Sequence, residues 1–145
     1  ASELALACDF RIGVRGMELR LPPAELGLVY FPSGLKRIVS RIGLAAAKRL
    51  LLAGERMDAN ALLEIGFLDR LVAPEALAGE CDALAARIET LSPRAVQGMK
   101  RLLNDIAAGD LDATAARQMA LDSFRSEDAR EGISAFKEKR APRFS

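Results

Sequence analysis

Leu21-Pro22-Pro23-Ala24-Glu25-Leu26-Gly27-Leu28-Val29-Tyr30-Phe31-Pro32-Ser33-Gly34-Leu35-Lys36-Arg37 gathers three prolines, two glycines, an acid and the only tyrosine of the chain into one largely apolar run. Proline fixes φ and cannot donate to a ladder, while glycine permits positive φ and close backbone approach, so the stretch reads as a rigid, irregular connection. Rigid connections on a helical scaffold are where sites gather. The bland alternative is that Pro22-Pro23 ends a strand and Pro32-Ser33-Gly34 opens a helix.

Upstream, Ser2 is a candidate cap for a short helix through Asp9, with Leu4, Ala5 and Cys8 on one face. On position alone Glu3 is a first-turn acid favoured by the helix dipole. Phe10 to Leu21 alternates loosely around Arg15-Gly16, which predicts a pair of short strands.

Downstream, Leu35, Ile38, Val39 and Ile42 form one helical stripe, interrupted at Gly43 and followed by an alanine-rich helix over 44–53. Asp58 caps a helix that Gly66 ends, and 67–73 reads as a short strand. Leu77, Cys81, Leu84, Ile88 and Leu91 mark a helical seam. Ser92-Pro93 opens a further helix with Val96, Met99, Leu103 and Ile106 expected inward and Lys100 and Arg101 outward. Gly109-Asp110 separates it from a helix to about Phe124, and Ser126-Glu127-Asp128 opens a last one ending near Arg140. A few strands before residue 75 followed by many helices is a helix-rich α/β chain with little sheet of its own.

The 145 residues suffice for one domain with a sizeable core. With 21 basic and 20 acidic residues there is no general field to attract nucleic acid or an anionic membrane. No stretch has the length of a membrane span. The absence of histidine excludes Ser-His-Asp and Cys-His catalysis and histidine-ligated zinc among these residues, and no other ligand cluster suggests a metal. Cys8 and Cys81, each inside an apolar pattern, predict two buried reduced thiols and a soluble, cytoplasmic setting.

Several stretches together resemble the crotonase, or enoyl-CoA hydratase/isomerase, superfamily. Ala1-Ser2-Glu3-Leu4-Ala5-Leu6-Ala7-Cys8-Asp9 is similar to the end of its Gly-Gly-x-x-Glu-Leu-Ala-x-x-Cys-Asp helix. Leu26-Gly27-Leu28-Val29 matches its Leu-Gly turn, and Leu52 to Ala59 its Thr-Gly-x-x-Ile-x-Ala signature with Ala53 in place of Thr or Ser. Glu131 to Arg140 matches its Glu-Gly-x-x-Ala-Phe-x-Glu-Lys-Arg.

The resemblance implies the crotonase fold, here as its helix-rich C-terminal half. Residues 1–75 would be the end of the core with the active-site loop, and 76–145 a helical region for trimerisation and for covering coenzyme A. It implies an acyl-CoA thioester as substrate, with no covalently bound cofactor, and an oxyanion hole that stabilises a thioester enolate. Both hole donors would fall outside the chain, with Ala1 and Ser2 at the broken edge, so the 145 residues alone are expected to lack turnover.

By the same resemblance Glu3 aligns with the first of two hydratase glutamates, which position a water and shuttle a proton. The second falls at Pro23, which carries no acid, and Glu25 is the nearest substitute. The segment Pro23-Ala24-x-Leu26-Gly27-x-x-Tyr30-x-x-Ser33-Gly34 is similar to that of methylmalonyl-CoA decarboxylase, whose branch has an active-site tyrosine at the Tyr30 position. The alternative for Tyr30 is a half-buried aromatic with its hydroxyl at the surface. Phe136 and Lys139 match positions that hold the adenine and 3′-phosphate end of coenzyme A, although a basic patch on a terminal helix is by default solvated. A homotrimer or dimer of trimers is implied, with acyl-CoA as the small-molecule partner and neither nucleic acid nor membrane. The rival from another class is a non-catalytic fragment or binding module.

Overall fold

The longest helix starts where its sequence says it should. Pro32 stands at the first helical position, where its missing N–H costs nothing, and Phe31 precedes it in extended conformation. The computed structural model describes residues 2–144. In chain order it contains α1 (Ser2–Ala7), β1 (Ile12–Val14), β2 (Glu18–Leu19), α2 (Pro32–Leu51), β3 (Met57–Asp58), α3 (Ala59–Glu64), β4 (Arg70–Val72), α4 (Leu77–Glu89), α5 (Pro93–Ala108), α6 (Ala113–Phe124) and α7 (Glu127–Glu138). A 3-10 turn (Pro74–Ala76) leads into α4. All four strands precede residue 75, as expected. The residues form two units, one up to Cys81 and one from Asp82.

In the first unit the core is organised on α2. Ile38, Ile42, Ala46 and Leu50 fall four residues apart and are buried together with Leu6, Leu21, Met57, Leu62, Phe67 and Leu68. Each of the larger apolar side chains, leucine, isoleucine, methionine or phenylalanine, contributes roughly 1.5–3 kcal/mol on full burial. Gly43 interrupts the helix at φ 77, ψ 164, a backbone state closed to other residues, yet the stripe continues past it. Of the predicted stripe, Val39 faces solvent and Leu35 is half-buried.

β1 and β2 are neighbours in sequence but do not pair with each other. β1 runs parallel to β4, Ile12 opposite Arg70 and Val14 opposite Val72. β2 runs antiparallel to β3, Glu18 opposite Asp58 and Leu19 opposite Met57. The two short strands expected around Arg15-Gly16 are present, the turn closed by Met17 N on the Val14 carbonyl at 3.2 Å, and each pairs with a strand distant in sequence.

Arg11 fastens the first sheet. Its side chain is only 9% exposed. Nε donates to the Phe67 carbonyl at 2.6 Å, Nη1 to that of Cys8 at 3.1 Å and Nη2 to Asp69 Oδ1 at 3.2 Å. Asp69 Oδ2 accepts from the Arg11 amide at 2.7 Å. Asp58 caps α3 by accepting from Ala61 N at 2.8 Å, and the chain leaves that helix through Gly66, both as expected.

Two expectations in this unit fail. Leu6, not Leu4, enters the core: Leu4 is 72% exposed and Leu6 1%. A helix of six residues is too short for periodicity to choose its face. Nor are the thiols buried, for Cys8 and Cys81 are both free and exposed. Cys8 lies beyond the end of α1, and Cys81 alone of its seam faces outward while Leu77, Leu84, Ile88 and Leu91 are half-buried.

In the second unit Ser92 caps α5 by accepting from Ala95 N at 3.1 Å, and its hydroxyl donates to Asp128 Oδ2 at 2.5 Å. Ser126 caps α7 through Ala129 N. The starts of α5 and α7 are therefore joined through one buried hydroxyl. The stripe expected to face inward on α5 does not: Met99, Leu103 and Ile106 are 58%, 65% and 58% exposed. An amphipathic pattern shows that a face is apolar, not which surface covers it.

Candidate functional site

The prolines and glycines of 21–34 build a tight turn that ends at the start of α2. The Pro23 carbonyl accepts from Leu26 N at 3.1 Å and Leu28 N at 2.8 Å, with Gly27 N bonded to the Ala24 carbonyl at 3.2 Å. Pro23 itself is buried, so position 23 organises the turn with its backbone and carries no titratable group. Tyr30 is half-buried and packs against the core two residues before α2 begins.

Glu3, on the exposed side of α1, reaches the same helix start. A β-carbon placed on Gly34 would stand 2.5 Å from Glu3 Oε1 and 3.1 Å from its Cδ, so the carboxylate rests directly on the Gly34 backbone. Negative charge is favoured there by the dipole of α2. Glu3 and Tyr30 thus both flank the entry of α2.

Glu25 is engaged elsewhere. Its Oε1 accepts from Arg20 Nη2 at 2.5 Å, and it would meet a β-carbon on Gly54 at 2.7 Å. Arg20 Nε reaches the Gly54 carbonyl at 3.4 Å. Its carboxylate therefore ties the proline-bracketed loop to the turn at Gly54. Among the described residues no hydrogen bond joins Glu3, Tyr30 and Glu25 to one another. The expectation placed on Ala1, at the edge of the oxyanion hole, lies outside the described residues.

At the far end of the chain Phe136 is 86% exposed on α7. Lys139 closes that helix in the left-handed region, φ 55 and ψ 38. It is the one non-glycine residue with positive φ among those described. Such a conformation costs roughly 1–3 kcal/mol and persists only where its surroundings impose it.

Those surroundings centre on Arg140, which sequence motifs mark only as part of a Lys-Arg pair. Its guanidinium forks onto Glu131, Nη1 to Oε1 at 2.6 Å and Nη2 to Oε2 at 3.0 Å, while Nε donates to Glu138 Oε2 at 2.6 Å. Glu131 Oε1 also accepts from the Arg143 amide at 2.8 Å. The Arg140 fork and that amide hold the Glu131 carboxyl down at about 2. Arg140, then the Ser134 hydroxyl, lower Glu138 in the same sense. An open depression of about 590 Å³ is lined by Glu131, Arg140, Ala141 and Arg143.

Comparison with known proteins identifies the family. The enoyl-CoA hydratase/isomerase family profile matches residues 2–145. The Bacillus subtilis enoyl-CoA hydratase/isomerase-family protein YngF is 36% identical over 140 residues, covering 95% of this chain and 54% of that protein. Crotonyl-CoA hydratase of Syntrophomonas wolfei is 32% identical, covering 98% and 55%. The solved structure of an enoyl-CoA hydratase/isomerase family protein from Hyphomonas neptunium superimposes with a TM-score of 0.89 at 31% identity, covering 99% of this chain and 55% of its own.

The chain belongs to the enoyl-CoA hydratase/isomerase, or crotonase, family. It spans about half the length of the curated relatives it matches. Among the described residues no helix is long and apolar enough to cross a membrane.

Proposed function

We propose that this chain is the C-terminal half of a crotonase-family enzyme that processes acyl-CoA thioesters through a stabilised thioester enolate. The observation that carries the proposal is the family match from residue 2 to residue 145 over about half the length of its relatives. Glu3 serves as the carboxylate that exchanges a proton with substrate or water, and its seat on Gly34 at the entry of α2 supports that role. Tyr30 lies at the same entry and orients the acyl group. Glu25 is the weaker third candidate because Arg20 already holds its carboxylate.

Phe136 packs on the adenine of coenzyme A and Lys139 meets its 3′-phosphate. Residues 1–75 supply the active-site part, and 76–145 the coenzyme A cover and the subunit contacts of a homotrimer or dimer of trimers. The exposed apolar face of α5 suits such contacts. Residues 1–145 by themselves lack turnover, because both backbone donors of the oxyanion hole belong to a companion segment. Incubation of the pure 145-residue chain with crotonyl-CoA tests this point, and measurable hydration would refute it.

Two further readings each have an observation behind them. A malonyl-type acyl-CoA decarboxylase needs no second acid, which suits the buried Pro23 and the adjacent Tyr30. Mass analysis of products separates the reactions: loss of CO₂ from methylmalonyl-CoA supports decarboxylation, and addition of water to crotonyl-CoA supports hydration. A non-catalytic fragment that binds a partner is favoured by the exposed Leu26, Leu28, Val29 and Phe31. The intact mass of the purified protein decides it, since a mass near 15.6 kDa supports the fragment and a clearly larger one the enzyme.

A further inference from the structure

Lys139 sits between two residues that are both tied down. On one side Glu138 is held by Arg140 Nε and by the Ser134 hydroxyl, at 2.6 and 2.7 Å. On the other, the Arg140 amide bonds to the Ala135 carbonyl at 3.0 Å while its side chain forks onto Glu131. The Lys139 amide itself reaches the Phe136 carbonyl at 3.3 Å. With both neighbours fixed, the backbone between them is held at its left-handed φ.

The same guanidinium also settles the local charge. Glu131 and Glu138 are the acids of this helix end, and Arg140 occupies both. Among the described residues no ion pair engages Lys139. A lysine beside two free carboxylates would be drawn to them, whereas here its ammonium stays open to an incoming anion.

We propose that Arg140 is a positioning residue for anion capture by Lys139, locking the left-handed turn and occupying Glu131 and Glu138 so that the ammonium meets the 3′-phosphate of coenzyme A. This rests on the coenzyme A reading above. Arg140 touches no ligand itself and acts only through Lys139. Lysine at position 140 would keep the charge but not the three-donor fork, so the effect is geometric as well as electrostatic.

The test is calorimetric binding of coenzyme A and 3′-dephospho-coenzyme A to the full-length protein and to Arg140→Ala, Arg140→Lys, Lys139→Ala and the double variant Lys139→Ala/Arg140→Ala. The unsubstituted protein should prefer the 3′-phosphorylated ligand by about tenfold, the worth of one charged hydrogen bond. Both Arg140 variants should lose most of that preference with dephospho-ligand affinity unchanged, and Arg140→Ala should add nothing once Lys139 is gone. Retention of the preference in both variants overturns the inference and leaves the coenzyme A reading standing. Equal weakening of both ligands shows a merely structural role and also overturns it. No preference, or no binding, in the unsubstituted protein overturns the Lys139 reading and the inference with it.

Discussion

The Glu3 carboxylate lies against the backbone of Gly34, so close that a β-carbon there would stand 2.5 Å from Oε1. Gly34 is buried in the first turn of α2, whereas Glu3 approaches from α1, a helix of six residues. The absence of a side chain at position 34 is what lets the acid occupy the helix entry. The obstructing atom is the end of a flexible chain, so Gly34→Ala should push the carboxylate aside without breaking the fold. The expected result is a melting temperature changed little or raised, since alanine gains up to about 1 kcal/mol over glycine in a helix. If Glu3 handles the proton, kcat of the complete enzyme falls by at least about tenfold, within the ~10²–10⁴ that a positioned acid or base supplies. Unchanged kcat in Gly34→Ala would show that this seat does not matter to catalysis.

Arg11 should carry more of the stability than its place in a loop suggests. Arg11→Ala removes donors to Phe67 and Cys8 and leaves Asp69 with only the Arg11 amide. The expected loss is about 2 kcal/mol, held below the cost of a fully buried pair by the partial exposure of Asp69. Urea unfolding measures it, and a midpoint equal to that of the unsubstituted chain would remove Arg11 from the account. Arg11→Lys should recover little, because one ammonium cannot serve three acceptors on different segments.

Local signals were legible and distant ones were not. Asp58, Ser92 and Ser126 each announce a helix start within three residues of the amide they cap, and Gly66 and Gly109 mark helix ends as directly. The Arg11–Asp69 link spans 58 residues and no local pattern marks it. The same holds for β1 finding β4 rather than β2. On α5 the apolar stripe was correctly placed at Met99, Leu103 and Ile106 while its environment was not, since helical periodicity contains no information about what lies opposite. Glu3 and Tyr30 were reached through family motifs. Their shared position at the entry of α2, and the hold of Arg20 on Glu25, depend on contacts that no motif marks.

Ser92 has two tasks that one substitution removes together. Ser92→Ala deletes the cap of α5 and leaves Asp128 without its hydroxyl donor inside the second unit. Loss of a cap costs about 1 kcal/mol, and the orphaned half-buried carboxylate raises the expected total to about 2 kcal/mol. Ser92→Thr keeps the oxygen and should recover most of it. Thermal unfolding of the two variants side by side is the measurement, and equal melting temperatures would show that the hydroxyl is dispensable.

The Arg140 cluster should be visible in the acid limb of stability. Glu131 ionises at about 2 in the folded chain against 4.5 for an ordinary glutamate, chiefly through Arg140 and then the Arg143 amide. Glu138 is lowered by Arg140 and Ser134, and Glu55 by Arg49. A depressed folded pKa means that the unfolded chain binds more protons between the two values, so stability rises with pH across that window. The Glu131 contribution is complete above about pH 4.5 and is lost as pH falls toward 2, and Glu138 and Glu55 act in the same direction. Glu131→Gln abolishes the largest of these titrations, and its melting temperature should depend less on pH between 4.5 and 2 than that of the unsubstituted chain, with the two curves furthest apart near neutrality. Parallel curves over that range would mean that the Glu131–Arg140 fork does not persist in solution, and the left-handed turn at Lys139 would lose its support.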